Sequence, residues 1–200
     1  MTALSPLSPY SAFHHERALC HGTLAELVTA IKAISSDAHP EGVLVFDNAS
    51  SRVIDIDFRG SAAEVLARLP AANQSEPAAE APRGPGRPKL GVVAKEVTLL
   101  PRHWEWLAAQ PGGASVALRK LVEEARHANA GKDDLRQAQE RVYRFISVML
   151  ANAPGLEEAE RALFAGRRAQ FEELSAAWPP DLRKHALLLA GKAFAEGEST

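Results

Sequence analysis

Apolar positions along the chain recur at two different periods, and each period predicts a different element. Leu24, Leu27, Val28 and Ile31 stand at i, i+3, i+4 and i+7, which is one face of a helix. Thr23 precedes them as an N-cap, with Glu26 three residues on at the capping-box spacing. Farther along, Val53, Asp55 and Asp57 alternate with Ile54, Ile56 and Phe58, the two-residue period of a half-buried strand. That run and Gly42–Asp47 flank Asn48-Ala-Ser-Ser51, a hairpin signal with a four-residue loop. Tyr10–Leu19 reads as an earlier strand, and Ser61 caps a last helix through Leu69, again with Glu at the third position. The predicted order is β-α-β-β-α over residues 1–70.

Residues 71–91 break the pattern. They are rich in Pro and Ala and contain no aromatic or β-branched residue, so nothing in them offsets the entropy of ordering. This predicts a flexible linker ending in a basic arm. Lys95–Leu100 then reads as a short strand, and Pro101 opens a helix to about Gln110. Pro111-Gly-Gly113 breaks it, and Ser115 starts a second helix with Leu118, Leu121, Val122 and Ala125 on one face. A soft boundary is expected at 128–134. Helices follow at about 134–151, 156–165, 167–177 and 181–195, with Asp181 as an N-cap and Trp178 as a hydrophobic staple. The fold class is α+β, in four parts: 1–70, 71–91, 92–128 and 129–200.

Composition narrows the class. With 46% hydrophobic and 24% charged residues, the chain has enough apolar material for packed cores. No apolar run reaches eighteen residues, which excludes a membrane-spanning helix. Residues 1–9 lack a basic n-region and an apolar h-region, so a cytoplasmic protein is expected. The single cysteine, Cys20, excludes an internal disulfide and a multi-thiolate zinc site. The net charge of −2 conceals an asymmetry: residues 1–82 carry −5, residues 83–126 carry +4 and residues 127–200 carry −1. A basic middle between acidic flanks points to a local polyanion-binding patch.

That basic middle holds the most informative pattern. Val97-Thr-Leu-Leu-Pro-Arg-His-Trp-Glu-Trp-Leu107 and Pro111-Gly-Gly-Ala-Ser-Val-Ala-Leu-Arg-Lys-Leu-Val122 resemble the ribbon-helix-helix DNA-binding module. One strand and two helices cannot close a core alone, so two copies must pair. The resemblance implies that Val97 and Leu99 point into a dimer core with Trp104 and Leu107, while Glu96 and Thr98 face DNA bases in the major groove. Ser115, after Gly113-Ala114, lies at a helix N-terminus suited to phosphate. Glu96 departs from the family pattern, which favours Arg, Lys, Asn or Gln on the outward face; it can accept from cytosine N4 and otherwise repels phosphate. The ordinary alternative is an αα-hairpin after an edge strand.

Ahead of it, Arg83-Gly-Pro-Gly-Arg-Pro-Lys89 resembles an AT-hook, although Pro85 stands where that motif's first core arginine belongs. Arg83, Arg87 and Lys89 are therefore read as an arm on phosphates. His14, His15, Cys20 and His21 lack metal-ligand spacing, and Asp47, Asp55 and Asp57 fit a turn and a wet strand face. No metal, cofactor or catalytic motif is expected. Three stretches resemble a bacterial family known as domain of unknown function 2239: Gly86–Gly91, Glu96–Leu107, and Tyr143-Arg-Phe145 with Pro154–Ala159 and Ala162–Ala165. The expectation is a homodimer on duplex DNA, a transcriptional regulator rather than an enzyme. The alternative class is a dimeric adaptor that does not touch DNA.

Overall fold

His15 and Glu16 reverse the chain where the sequence suggests one continuous strand. In the computed structural model, which describes residues 8–35, 40–69, 93 and 95–194, the backbone of His15 takes a positive φ of 51°. Its amide donates to the carbonyl of Gly42 at 2.8 Å, which holds the turn. The single strand expected over Tyr10–Leu19 is therefore a hairpin, β1 (Tyr10–His14) and β2 (Arg17–Gly22). After α1 (Leu24–Ile34) come β3 (Val43–Asp47) and a very short β4 (Arg52–Val53), followed by α2 (Ala62–Arg68). The sheet is wholly antiparallel in the order β2-β1-β3-β4, with Phe13 opposite Leu44 and Ala12 opposite Val45.

Alternation along these strands feeds two cores. Ala12 and Val45 join Leu24, Leu27, Val28 and Ile31 of α1, Val65 of α2, and Ile56 and Phe58. Their neighbours Phe13 and Phe46 face the other way and enter a second cluster made by the C-terminal helices. The sheet is thus covered on both faces. The predicted alternation after the hairpin is present: Ile56 and Phe58 are buried while Val53 and Asp55 are exposed. Both expected capping boxes form, Thr23 with Glu26 and Ser61 with Glu64. Each satisfies two backbone or hydroxyl donors at a helix start with one carboxylate.

The C-terminal helices are α4 (Gly113–Met149), α5 (Leu156–Phe164), α6 (Arg168–Leu174) and α7 (Pro180–Leu189), and α3 (Pro101–Ala108) precedes them. The expected boundary at 128–134 is absent, because α4 runs unbroken for 37 residues. A lone Gly131 costs a helix only about 1 kcal/mol relative to alanine. Around it, Asn129 donates to the Ala125 carbonyl and Arg136 pairs with Asp133 at 3.0 Å. Asp181 is not an N-cap either; Pro179 holds that place. The Asp181 carboxylate instead accepts from the amide of Ala18 at 3.0 Å, tying α7 to β2. Trp178 is buried edge-on to Phe171, and its Nε1 donates to the Pro154 carbonyl.

Two compact units result. One holds residues 1–75 and 132–200, so the α/β part and the C-terminal helices, separate segments by sequence, share a core. The other holds residues 76–131.

Candidate nucleic-acid interface

The second unit starts from an extended run. Residues 95–100 pair with no strand among the described residues, so the expected strand is an extended segment without a ladder. An isolated strand has nowhere to send its amides except water or another chain. Glu96, Val97 and Thr98 are all exposed, and Leu99 is half-buried. Leu100 is the N-cap of α3 and Pro101 its first residue, as Pro's fixed φ favours. Past α3, Gly112 and Gly113 both take positive φ, 84° and 73°, and allow the chain to turn into α4. A Cβ at Gly112 would press on Val116 at 3.1 Å, so the turn also needs the missing side chain. Ser115 is exposed on the first turn of α4.

Burial in this unit is nearly absent. Leu107 is the only one of the four expected seam residues that is buried, at 3% exposure. Val97 is 53% exposed, and Trp104 is exposed as well. Trp106 at 53%, Val116, Leu121 and Val122 at 56% add to the same apolar display. The two tryptophans thus do not pack into a core of this chain. Arg83, Arg87 and Lys89 of the arm, and the linker 71–91, lie outside the described residues.

Charge on this surface is partly spent within the helix. Glu123 pairs with Arg126 at 3.0 Å and with His127 at 3.1 Å, and Lys120 lies 3.9 Å from Glu124. Such exposed pairs contribute a few tenths of a kcal/mol each and lower the net field. Among the described residues, Lys95, Arg102 and Arg119 make no ion pair.

Two of the three carboxylates considered for metal have other partners. Asp47 accepts from the Ala49 amide and the Ser50 hydroxyl and so organises the hairpin turn. Asp57 holds Arg59 at 2.6 Å, and that contact keeps its carboxyl well below the usual carboxylate range. No group of three metal-ligating side chains occurs among the described residues. No described helix is long and apolar enough to cross a membrane.

Residues 9–190 match the family described as "Uncharacterized protein conserved in bacteria (DUF2239)", and the chain belongs to that family. No curated protein and no solved structure matches it. Sequence reasoning overlooked one group, a buried polar cluster around His185 in the first unit. A histidine on an apolar helix face gives no local signal of the partners it meets.

Proposed function

We propose that this chain is a homodimeric DNA-binding protein, a transcriptional regulator whose residues 92–128 act as a ribbon-helix-helix-like module. One observation carries the reading: an unpaired extended run and two helices expose Val97, Trp104, Trp106, Leu121 and Val122 while burying only Leu107. A second copy supplies both what the backbone of 95–100 lacks and what the apolar side chains lack. Pairing Val97 and Leu99 inward leaves Glu96 and Thr98 outward on a two-stranded ribbon thin enough for the major groove. Arg83, Arg87 and Lys89 precede that ribbon as phosphate contacts, and Ser115 adds a hydroxyl at a helix N-terminus.

The dimeric adaptor is the second reading, and Glu96 favours it. A carboxylate on the outward face is a liability against phosphate, and the ion pairs of Glu123 and Glu124 reduce the positive field of α4.

Anisotropy of a labelled duplex across a salt series separates the two. The regulator reading predicts binding whose log K falls with log salt. Changing Arg87 and Lys89 together to Ala removes up to about four phosphate contacts per dimer and lowers the slope by about 0.9 for each. Thr98→Ala changes the preference among duplexes and leaves the slope intact, and Glu96→Gln tightens binding. A wild-type dimer that leaves every duplex free at low salt moves the assignment to the adaptor.

A further inference from the structure

Four elements of the first unit converge on two imidazoles. His185 of α7 is 3% exposed, and neither of its ring nitrogens has a hydrogen-bond partner among the described residues. Its ring lies 4.6 Å from the Phe145 ring of α4 and 5.1 Å from the Phe13 ring of β1, centroid to centroid. On a further side, His21 of β2 stacks on it at 5.6 Å with only 11° between the planes. His21 is itself solvent-exposed, and its Nδ1 lies 2.7 Å from the Ser11 hydroxyl. Asn48 Nδ2 already donates to that hydroxyl at 2.7 Å, so the hydroxyl hydrogen is available to His21 Nδ1. This suits a neutral ring that carries its own proton on Nε2.

The charges facing the pair are mostly of one sign. Arg141 of α4 acts on His185, and Lys184 of α7 acts on His21. Among the described residues, Asp181 of α7 is the opposing charge that acts on His21, and its carboxylate is engaged with the Ala18 amide. From β1, Phe13 packs edge-on against both rings and the uncharged Ser11 hydrogen-bonds His21.

We propose that the stacked rings of His21 and His185 are an acid-released latch between β2 and α7. Neutral rings stack; a proton on His185 brings a cation and a further N–H donor into a buried site where, among the described residues, neither ring nitrogen has a partner, with Arg141 beside it. Burial, then His21, then Arg141, push the His185 imidazole below its ordinary 6.5 to about 4. His21 is lowered too, first by desolvation and then by Lys184. A depressed imidazole binds its proton more weakly in the folded chain than in the unfolded one. The stability that the neutral ring contributes is therefore complete above pH 6.5 and falls progressively as the pH drops toward 4, where the folded ring itself takes up its proton and the latch opens. For His185 alone, going from pH 7 to pH 5 raises the unfolding equilibrium constant about twentyfold.

Two measurements on the full chain test this. Nitrogen-resolved NMR titration of the histidines should find His185 still neutral at pH 5, with amide exchange rising first in α7 and at Ala18 as acid is added. Urea unfolding of His185→Phe, which keeps an aromatic ring without a proton site, should lose most of the twentyfold change between pH 7 and pH 5. A His185 ring that titrates at or above 6.5 overturns the proposal. So does a folded His185→Phe variant as acid-sensitive as the wild type. Should that variant not fold, the NMR titration of the wild type decides alone.

Discussion

The two units of this chain solve the problem of burial in opposite ways. In the first, Phe13, Phe46, Phe145 and Phe171 are fully buried, and Phe145 lies 5.4 Å from Phe13 and 5.2 Å from Phe46, ring to ring. A sheet of four strands closes that core because helices cover both of its faces. In the second, large apolar side chains are as available, yet Leu107 alone among the described residues is buried. The lesson is that apolar content does not make a core; it needs two facing layers, and an extended segment with a helical hairpin offers one. The first unit closes its own core, whereas the second leaves its large apolar side chains mostly exposed.

Substitutions break this contrast in order of size. Phe145→Ala deletes the ring shared by both aromatic neighbours and should destabilise the first unit by about 3–5 kcal/mol in urea unfolding. The matching truncation in the second unit, Trp106→Ala, should move monomer unfolding far less, by about 0.5 kcal/mol, since that side chain is already 53% exposed. A large loss there would mean the second unit has a core of its own.

Val97→Asp is the next largest. On a seam between two copies it buries an unpaired carboxylate, and association should weaken by at least about a hundredfold. The monomer, in which residue 97 is exposed, should keep its thermal midpoint.

Local signals made much of the first unit readable. Thr23 with Glu26 and Ser61 with Glu64 are contacts across three residues, so the helix starts were legible at once. The face of Ile56 and Phe58, both buried, with Ile54 half-buried beside them, followed from alternation. What escaped was decided elsewhere in the fold. The turn at His15 carries no Gly or Asn, and the Gly42 carbonyl that stabilises it lies on the other side of α1. Gly131 reads as a break, yet the helix continues because the cost of one glycine is small against the packing of Val142, Phe145 and Ile146 downstream. Asp181 looks like a cap, and its partner Ala18 lies 163 residues away. His185 and His21 are likewise joined only by tertiary packing. In the second unit the apolar positions were legible, but their exposure was not, because burial depends on what faces them.

A smaller test checks the local part of this account. Thr23→Ala removes the hydroxyl that accepts from Glu26 and should cost about 1 kcal/mol, seen as faster amide exchange in the first turn of α1. An unchanged exchange rate would mean the Glu26 contact to the Thr23 amide suffices alone.

The proposal is that a second copy of the chain completes the apolar surface of residues 95–131. Sedimentation equilibrium of the full chain at micromolar concentration tests it most directly. The account predicts a particle of twice 21.5 kDa that Val97→Asp converts to 21.5 kDa. A wild-type chain that sediments as a 21.5 kDa monomer across that range would contradict it.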